Sequence, residues 1–230
     1  MAQVPIQRTV TSTKGYASAV IIAWRELWGA TPTKAQAGVI YAQWIVETSG
    51  RDCWNNNIGN VKVTPGQVAA GVDWIDLPGT WENINGKRVV LPDGDPGRRF
   101  RAYASFADGM SEHLTFLRKH WGPAWAHVEG GNPDGFAHAL KAGRDGREGT
   151  WDDYFTAPAN DYARIMVGAH KGWMSSDAFD SALLGLSEVA PDTIPAEAET
   201  QPYPVEPQPI VHTLNLPGLP GFEPPPDDAA

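Results

Sequence analysis

The chain holds a single cysteine, Cys53, among 230 residues. One thiol rules out an internal disulfide, and nothing in the sequence calls for an oxidising compartment. Positive charge is scarce: 18 Lys and Arg stand against 27 Asp and Glu, a net charge of −9. No basic stripe runs along any segment, so a nucleic-acid partner is not expected. Long apolar runs are missing too. The longest, residues 17–24, is interrupted and too short to cross a bilayer, so no membrane partner is expected. The opening residues Met-Ala-Gln-Val-Pro-Ile-Gln-Arg lack the charged start and apolar run of a secretory leader. The expectation is synthesis in the cytoplasm without a signal peptide, with delivery elsewhere by other means.

The acidic charge is unevenly spread. Residues 189–230 contain Asp192, Glu197, Glu199, Glu206, Glu223, Asp227 and Asp228 but no Lys or Arg, so residues 1–188 are close to neutral. The same stretch holds 11 of the 20 prolines. Proline at that density favours extended polyproline conformations over a packed core. The chain therefore divides into a globular body, about residues 12–188, and an acidic Pro-rich tail, residues 189–230. Within the tail, Ile210, Val211, Leu214, Leu216, Leu219 and Phe222 are the natural anchors for a neighbouring protein.

The body reads as mainly helical with one β insertion. Residues 16–28 have helical spacing and stop at Gly29. Thr31-Pro32-Thr33 opens a second helix, with Pro32 suited to its first turn and Thr33-x-x-Gln36 as a capping box. That helix carries Val39, Ala42, Ile45 and Val46 on an apolar stripe and ends near Gly50. Residues 72–77, 80–84 and 87–91 have strand character, and Asn85-Gly86 forms the two-residue turn of a hairpin. Residues 100–103 add a third strand. Ser105, with Asp108 three residues on, caps a helix through His120, and shorter helices follow at 134–142, 160–170 and 177–186.

All 10 tryptophans lie in the body. Flat aromatic faces suit sugar stacking, although core filling accounts for most tryptophans. Glu47 lies at the C-terminal end of the second helix, where the helix dipole disfavours negative charge. Trp44 and Trp54 flank it and can desolvate it. Both effects raise a carboxyl pKa, which is what protonating a leaving glycosidic oxygen near neutral pH requires. An isolated Glu at a helix end is more commonly a solvated surface residue, so the neighbourhood has to decide.

Glu47-Thr48-Ser49-Gly50, followed by Trp54-Asn55-Asn56-Asn57-Ile58-Gly59-Asn60-Val61-Lys62, resembles the glucosaminidase domains of flagellar-rod muramidase-like proteins and of bacterial or phage autolysins, within the lysozyme superfamily. Three further segments resemble the same family in the same order. They are the hairpin Thr80–Lys87, the run Phe100-Arg101-Ala102-Tyr103-Ala104-Ser105, and Tyr154-Phe155-Thr156-Ala157-Pro158-Ala159-Asn160-Asp161-Tyr162-Ala163. The last has two extra residues before its second Tyr, and residues 63–78, 93–97 and 121–151 are longer than the family pattern. The resemblance implies a lysozyme-like α+β fold, a helical domain with a β-hairpin lobe, that cleaves β-1,4 bonds of peptidoglycan glycan strands as an N-acetylglucosaminidase. It further implies that Glu47 is the general acid and that Tyr162 faces the cleft to steady the transition state; a buried core aromatic is the competing reading of Tyr162. Trp54, Asn55, Asn57, Asn60 and Tyr103 would frame the sugar site. No metal or cofactor is called for.

The second carboxylate implied by the family falls on the hairpin at Glu82, with Asp73 and Asp76 as substitutes. A separation of about 5 Å from Glu47 would suit a covalent intermediate, a wider one inversion or substrate assistance. With no base in reach, an acid-only lytic transglycosylase becomes the alternative. A non-catalytic scaffold that kept the fold is the rival from another class. Two other chemistries are weaker. Cys53 with His113 or His120 does not begin a helix as a cysteine peptidase nucleophile should. His113, His120, His127 and His138 show no His-Glu-x-x-His pair for zinc. The missing leader, lone cysteine and unusual tail suit a phage-derived lysin acting on the cell wall, docked in a phage tail through residues 189–230 as part of a virion. Deleting residues 189–230 is expected to leave wall lysis intact while abolishing incorporation into a particle; lysis lost with the tail would count against this division.

Overall fold

The computed structural model describes residues 3–48, 53–84, 87–144, 146–147, 154–155, 158–188 and 199–202. The architecture is mainly helical with small antiparallel sheets. Helix α1 spans Thr13–Trp28. Ser12 caps its start by accepting from the Gly15 amide, and Gly29 ends it in the left-handed conformation, where only glycine is free of Cβ strain. Helix α2 spans Lys34–Thr48. Its capping box closes as the sequence requires: the Thr33 amide donates to Gln36 Oε1 at 2.8 Å and the Gln36 amide to Thr33 Oγ1 at 3.2 Å. Pro32 thus sits ahead of the cap and not in the first turn.

Helix α2 is buried nearly all round, because α3 apart (Pro65–Ala69) the remaining helices enclose it and α1. These are α4 (Phe106–His120), α5 (Gly122–Glu129), α6 (Pro133–Lys141), α7 (Ala159–Ser175) and α8 (Ala178–Glu188). Helix α2 packs on α7, while α1 packs on α4 and α8. The α2–α7 approach is close at Gly38, where a Cβ would meet the Trp173 ring at 2.6 Å, and Trp173 Nε1 donates to the Lys34 carbonyl at 2.8 Å. Ser105 and Asp108 form a full capping box on α4. Helix α5 was not apparent from the sequence: Gly122-Pro123 at its start reads as a turn, but proline is tolerated in a first helical turn.

The strands form three small antiparallel sheets. Strand β1 (Gln7–Val10) lies between β2 (Cys53–Trp54) and β7 (Glu199–Pro202). Strand β3 (Trp74–Asp76) pairs with β6 (Arg99–Arg101), and β4 (Trp81–Ile84) with β5 (Lys87–Val90). The hairpin turn expected at Asn85-Gly86 lies outside the described residues, as do the tail anchors from Ile210 to Phe222. The strand expected at residues 100–103 is β6, and its partner is β3. Ile75 and Phe100 stand opposite each other there and bury a second cluster with Leu77, Val4, Ile6, Trp54 and Ala102. Strand β5 is exposed along its length and takes no part in that cluster. The body also begins earlier than residue 12. Val4 bonds to the Trp74 carbonyl, and the Gln7 amide and the Pro5 carbonyl bond the Asn55 side chain.

The loop after β2 presses onto α4 at Gly109, where a Cβ would overlap the Asn56 carbonyl oxygen. Gly109→Ala is expected to lower stability by about 1–3 kcal/mol or more, since the obstacle is backbone. Gly168→Ala, in an open position on α7, should be neutral or gain roughly 0.5–1 kcal/mol. Thermal melts of the two variants check this, and equal behaviour would refute the close approach.

Candidate active site

A cleft of about 470 Å³ opens where the end of α2, the loop 58–62, α4 and the segment after α6 meet. Glu47 occupies its wall in the last turn of α2, with Gln43 one turn earlier and Trp44 beside it. Residues four apart share a helix face, so the phase that points Glu47 into the cleft brings Gln43 with it. The Glu47 carboxyl is pushed up to about 7, chiefly because burial disfavours its charged form. A hydrogen bond from Tyr162 opposes the shift, the hydroxyl donating to Glu47 Oε1 at 2.7 Å. Among the described residues lining the cleft, Glu47 is the one carboxylate.

Tyr162 lies in the first turn of α7, fully buried, with its ring stacked on Phe155 at 3.9 Å between centroids. It is thus a core aromatic that reaches Glu47 from within the core and does not itself line the cleft, contrary to expectation. Burial and the neighbouring Glu47 and Tyr154 hold its phenol well above the usual range. Tyr154 lines the cleft, edge-on to Trp121 at 5.1 Å, and its phenol is raised by the same two causes, burial first and Glu47 second. His113 on α4 completes the floor. Burial pushes its imidazole down to about 4, so it is neutral at pH 7, and its Nε2 lies 3.2 Å from Gln43 Oε1.

The residues expected to frame a sugar divide. Asn60 lines the cleft, together with Ile58, Gly59, Val61 and Lys62. Asn55, Asn57, Trp54 and Tyr103 do not. The Asn55 side chain donates to the Pro5 carbonyl at 2.9 Å and accepts from the Gln7 amide at 2.8 Å. The Asn57 amide donates to the Val61 and Arg101 carbonyls, and its oxygen accepts from the Val61 amide. Asn56 is likewise engaged, with Tyr103 O and Thr9. With their carboxamides satisfied internally, these side chains shape the loop and do not face a ligand. Asn55, Asn56 and Asn60 also take positive φ, a region asparagine tolerates better than most residues. Trp54 packs on the β3–β6 cluster, and the Arg101 guanidinium lies over the Tyr103 ring at 4.9 Å.

Glu82 is half-exposed and ion-paired with Lys62, a residue of the cleft lining, but does not line the cleft itself. Asp76 is held by Arg98 at 2.7 Å. Gln43, His113, Phe116, Trp121, Arg144 and Tyr154 line the cleft without having been expected there. Gln43 was legible from its place one turn before Glu47; the others reach the cleft through tertiary packing that no local spacing encodes. Cys53 is buried in β2, away from the cleft lining. Among the described residues, no group of three or more His, Cys, Asp or Glu converges to hold a metal. Comparisons with protein-family models, curated proteins and solved structures find no match to this chain.

Because the folded carboxyl titrates above its ordinary value, its burial costs nothing below about pH 4.5 and becomes progressively unfavourable as pH rises through about 7. Glu47→Gln removes that penalty while keeping an acceptor for Tyr162. The stability gain of Glu47→Gln over wild type should grow between about pH 5 and pH 8, towards roughly 3 kcal/mol. Melting both proteins across that range tests it, and a gain independent of pH would mean that Glu47 is not desolvated.

Proposed function

We propose that this chain is a glycoside-cleaving enzyme acting on the β-1,4 bonds of peptidoglycan glycan strands, with Glu47 as general acid. The observation that carries the reading is a desolvated carboxyl, titrating near 7, on the wall of an open cleft and fixed by a tyrosine hydroxyl. Such a group keeps a proton at neutral pH and can release it to a leaving oxygen. Cleft size suits a short saccharide. Phe116 and Trp121 supply apolar faces for sugar rings, and Asn60 and the loop backbone supply polar groups. The resemblance of the Glu47 and Asn-loop segments to glucosaminidase domains favours N-acetylglucosaminidase specificity within this class.

In the proposed reaction, Glu47 protonates the glycosidic oxygen as the bond to the anomeric carbon breaks. Tyr162 then stabilises the carboxylate left behind by donating to it. Attack on the anomeric carbon requires either a water that gives its proton to Glu82 or a hydroxyl of the sugar itself, whose proton returns to the Glu47 carboxylate. The second route, an acid-only lytic transglycosylase cleaving the other β-1,4 bond of the strand, is the alternative reading, and it suits a cleft whose described lining residues include one carboxylate.

In a gel loaded with purified wall, the wild type should clear a band and Glu47→Gln should lose at least about a hundredfold of that activity. Equal clearing by both would refute the assignment of Glu47. Mass spectrometry of the fragments separates the two routes: reducing N-acetylglucosamine ends are expected from the glucosaminidase, anhydromuramic ends from the transglycosylase. The alkaline limb of kcat/KM should fall near pH 7 and move upward in Tyr162→Phe, because the lost hydrogen bond had lowered the Glu47 pKa.

A further inference from the structure

Two buried side chains on the cleft floor have no place in the proposed reaction, Gln43 and His113. Both are almost inaccessible, both line the cleft, and both carry a nitrogen without a hydrogen-bond partner, Gln43 Nε2 and His113 Nδ1. Their single mutual contact, His113 Nε2 to Gln43 Oε1 at 3.2 Å, has a direction that chemistry fixes. Gln43 Oε1 is only an acceptor, so the hydrogen must sit on His113 Nε2. A neutral imidazole carries one hydrogen, which leaves Nδ1 as a bare lone pair. Burying that lone pair costs less than burying an orphaned N–H. The opposite tautomer would leave Nδ1–H unsatisfied and turn the Gln43 amide round.

With its oxygen committed to His113, the other end of the Gln43 carboxamide is an N–H donor. The Gln43 side chain is close enough to the hydroxyls of Tyr154 and Tyr162 to favour their ionised forms, an effect that only its N–H end can have, although Nε2 falls short of a full hydrogen bond. A phenolic oxygen approached by an N–H is the acceptor of that contact, so its own O–H must point elsewhere. For Tyr162 the other neighbour is Glu47 Oε1 at 2.7 Å. If Oε1 accepts from Tyr162, the proton of the neutral carboxyl belongs on Oε2.

We infer that His113 and Gln43 are positioning residues: together they fix the hydrogen-bond direction along Gln43, Tyr162 and Glu47, so that Tyr162 always donates to Oε1 and the transferable proton is held on Oε2. The inference rests on the proposed role of Glu47 as the acid but concerns proton placement, which is measurable without any substrate. Among the described residues, the other titratable or charged ones lining the cleft are Lys62 from the loop, Arg144 after α6 and Tyr154. None of them is altered by the substitutions below.

The test is the carboxyl titration of Glu47, followed by NMR in carboxyl-labelled protein and assigned by the signal lost in Glu47→Gln. His113→Phe removes the donor that orients Gln43; the carboxamide can then turn its oxygen to Tyr162 and draw the phenolic hydrogen from Glu47. The Glu47 pKa should rise in His113→Phe by about half a pH unit or more, approaching the rise in Tyr162→Phe. His113→Gln, which restores an N–H donor, should bring it back towards wild type. Placed in a Tyr162→Phe background, His113→Phe should add nothing, because the path runs through the missing hydroxyl. Gln43→Met provides an independent arm should His113→Phe fail to fold: it should raise the pKa in the same direction, by less than Tyr162→Phe. An unchanged Glu47 titration in a folded His113→Phe or Gln43→Met protein overturns the inference. So does a shift that persists without the Tyr162 hydroxyl. Failure of the wild type to clear wall would instead remove the proposed function and leave this result standing.

Discussion

The structure depends on one contact, the Tyr162 hydroxyl donating to Glu47. It ties the first turn of α7 to the last turn of α2 across 115 residues of sequence. An unpaired buried carboxylate is among the most costly features a fold can contain, and a desolvated carboxyl with one donor relieves that cost by taking up a proton at a higher pH than usual, here near 7. The surroundings therefore have to be rigid enough to keep water away and specific enough to keep the donor in line. Close packing of α2 on α7 at Gly38, and the bond from the Trp173 indole to the Lys34 carbonyl, anchor the far ends of the same two helices. The capping box at Thr33 and Gln36 sets where α2 begins and hence its phase fourteen residues later. A slip of one residue there would turn Gln43 and Glu47 together away from the cleft.

The asparagine loop solves a related problem. A stretch of short polar residues ordinarily makes a mobile connection, yet here three consecutive carboxamides are consumed in bonds to β1, to the backbone beside β6 and to the loop itself. Glycines at 59 and 109 let this loop lie against His113 and α4, since a Cβ at either would overlap its neighbour. Segments outside the helical body thus take part in the cleft wall: β1 and the residues before it hold Asn55 and Asn56, which hold the loop bearing Asn60 and Lys62. A binding surface supported in this way keeps its shape in the absence of ligand, which lowers the ordering cost of binding.

What the sequence made legible, and what it did not, follows from where each signal is stored. Helix starts were readable at Thr33 and Ser105 because capping boxes are local, and so was the end of α1 at Gly29. The raised carboxyl of Glu47 was readable because a helix terminus and apolar neighbours coincided. The failures share one cause. Asn55 and Asn57 have the right chemistry for a sugar, but whether a carboxamide faces a ligand or its own backbone is decided by partners such as Pro5, Gln7 and Arg101, distant in sequence. The strand at 99–101 was legible as a strand, while its partner was not, because pairing is settled by which apolar residues need burial, here Ile75 and Phe100. His113 was weighed for metal and thiol chemistry, with no local sign that its ring would meet Gln43.

The position of Glu82 bears on how the proposed reaction could finish. Its pairing with Lys62 does not by itself keep it out of the chemistry: both partners are substantially exposed, and an exposed ion pair is worth only about 0–1 kcal/mol. Substrate could separate them at little cost. What separates a water-activating base from a bystander is reach, and Glu82 is paired with a lining residue, Lys62, without lining the cleft itself. A base acting from there would work through a water held at the rim, on the opposite side of the sugar from Glu47, as inverting chemistry requires. A saccharide lying across the cleft with its own hydroxyl near the anomeric carbon needs no such water. In that arrangement Lys62 would serve the substrate and not the base, its ammonium restrained by Glu82 so that less side-chain freedom is lost when an oxygen of the glycan meets it.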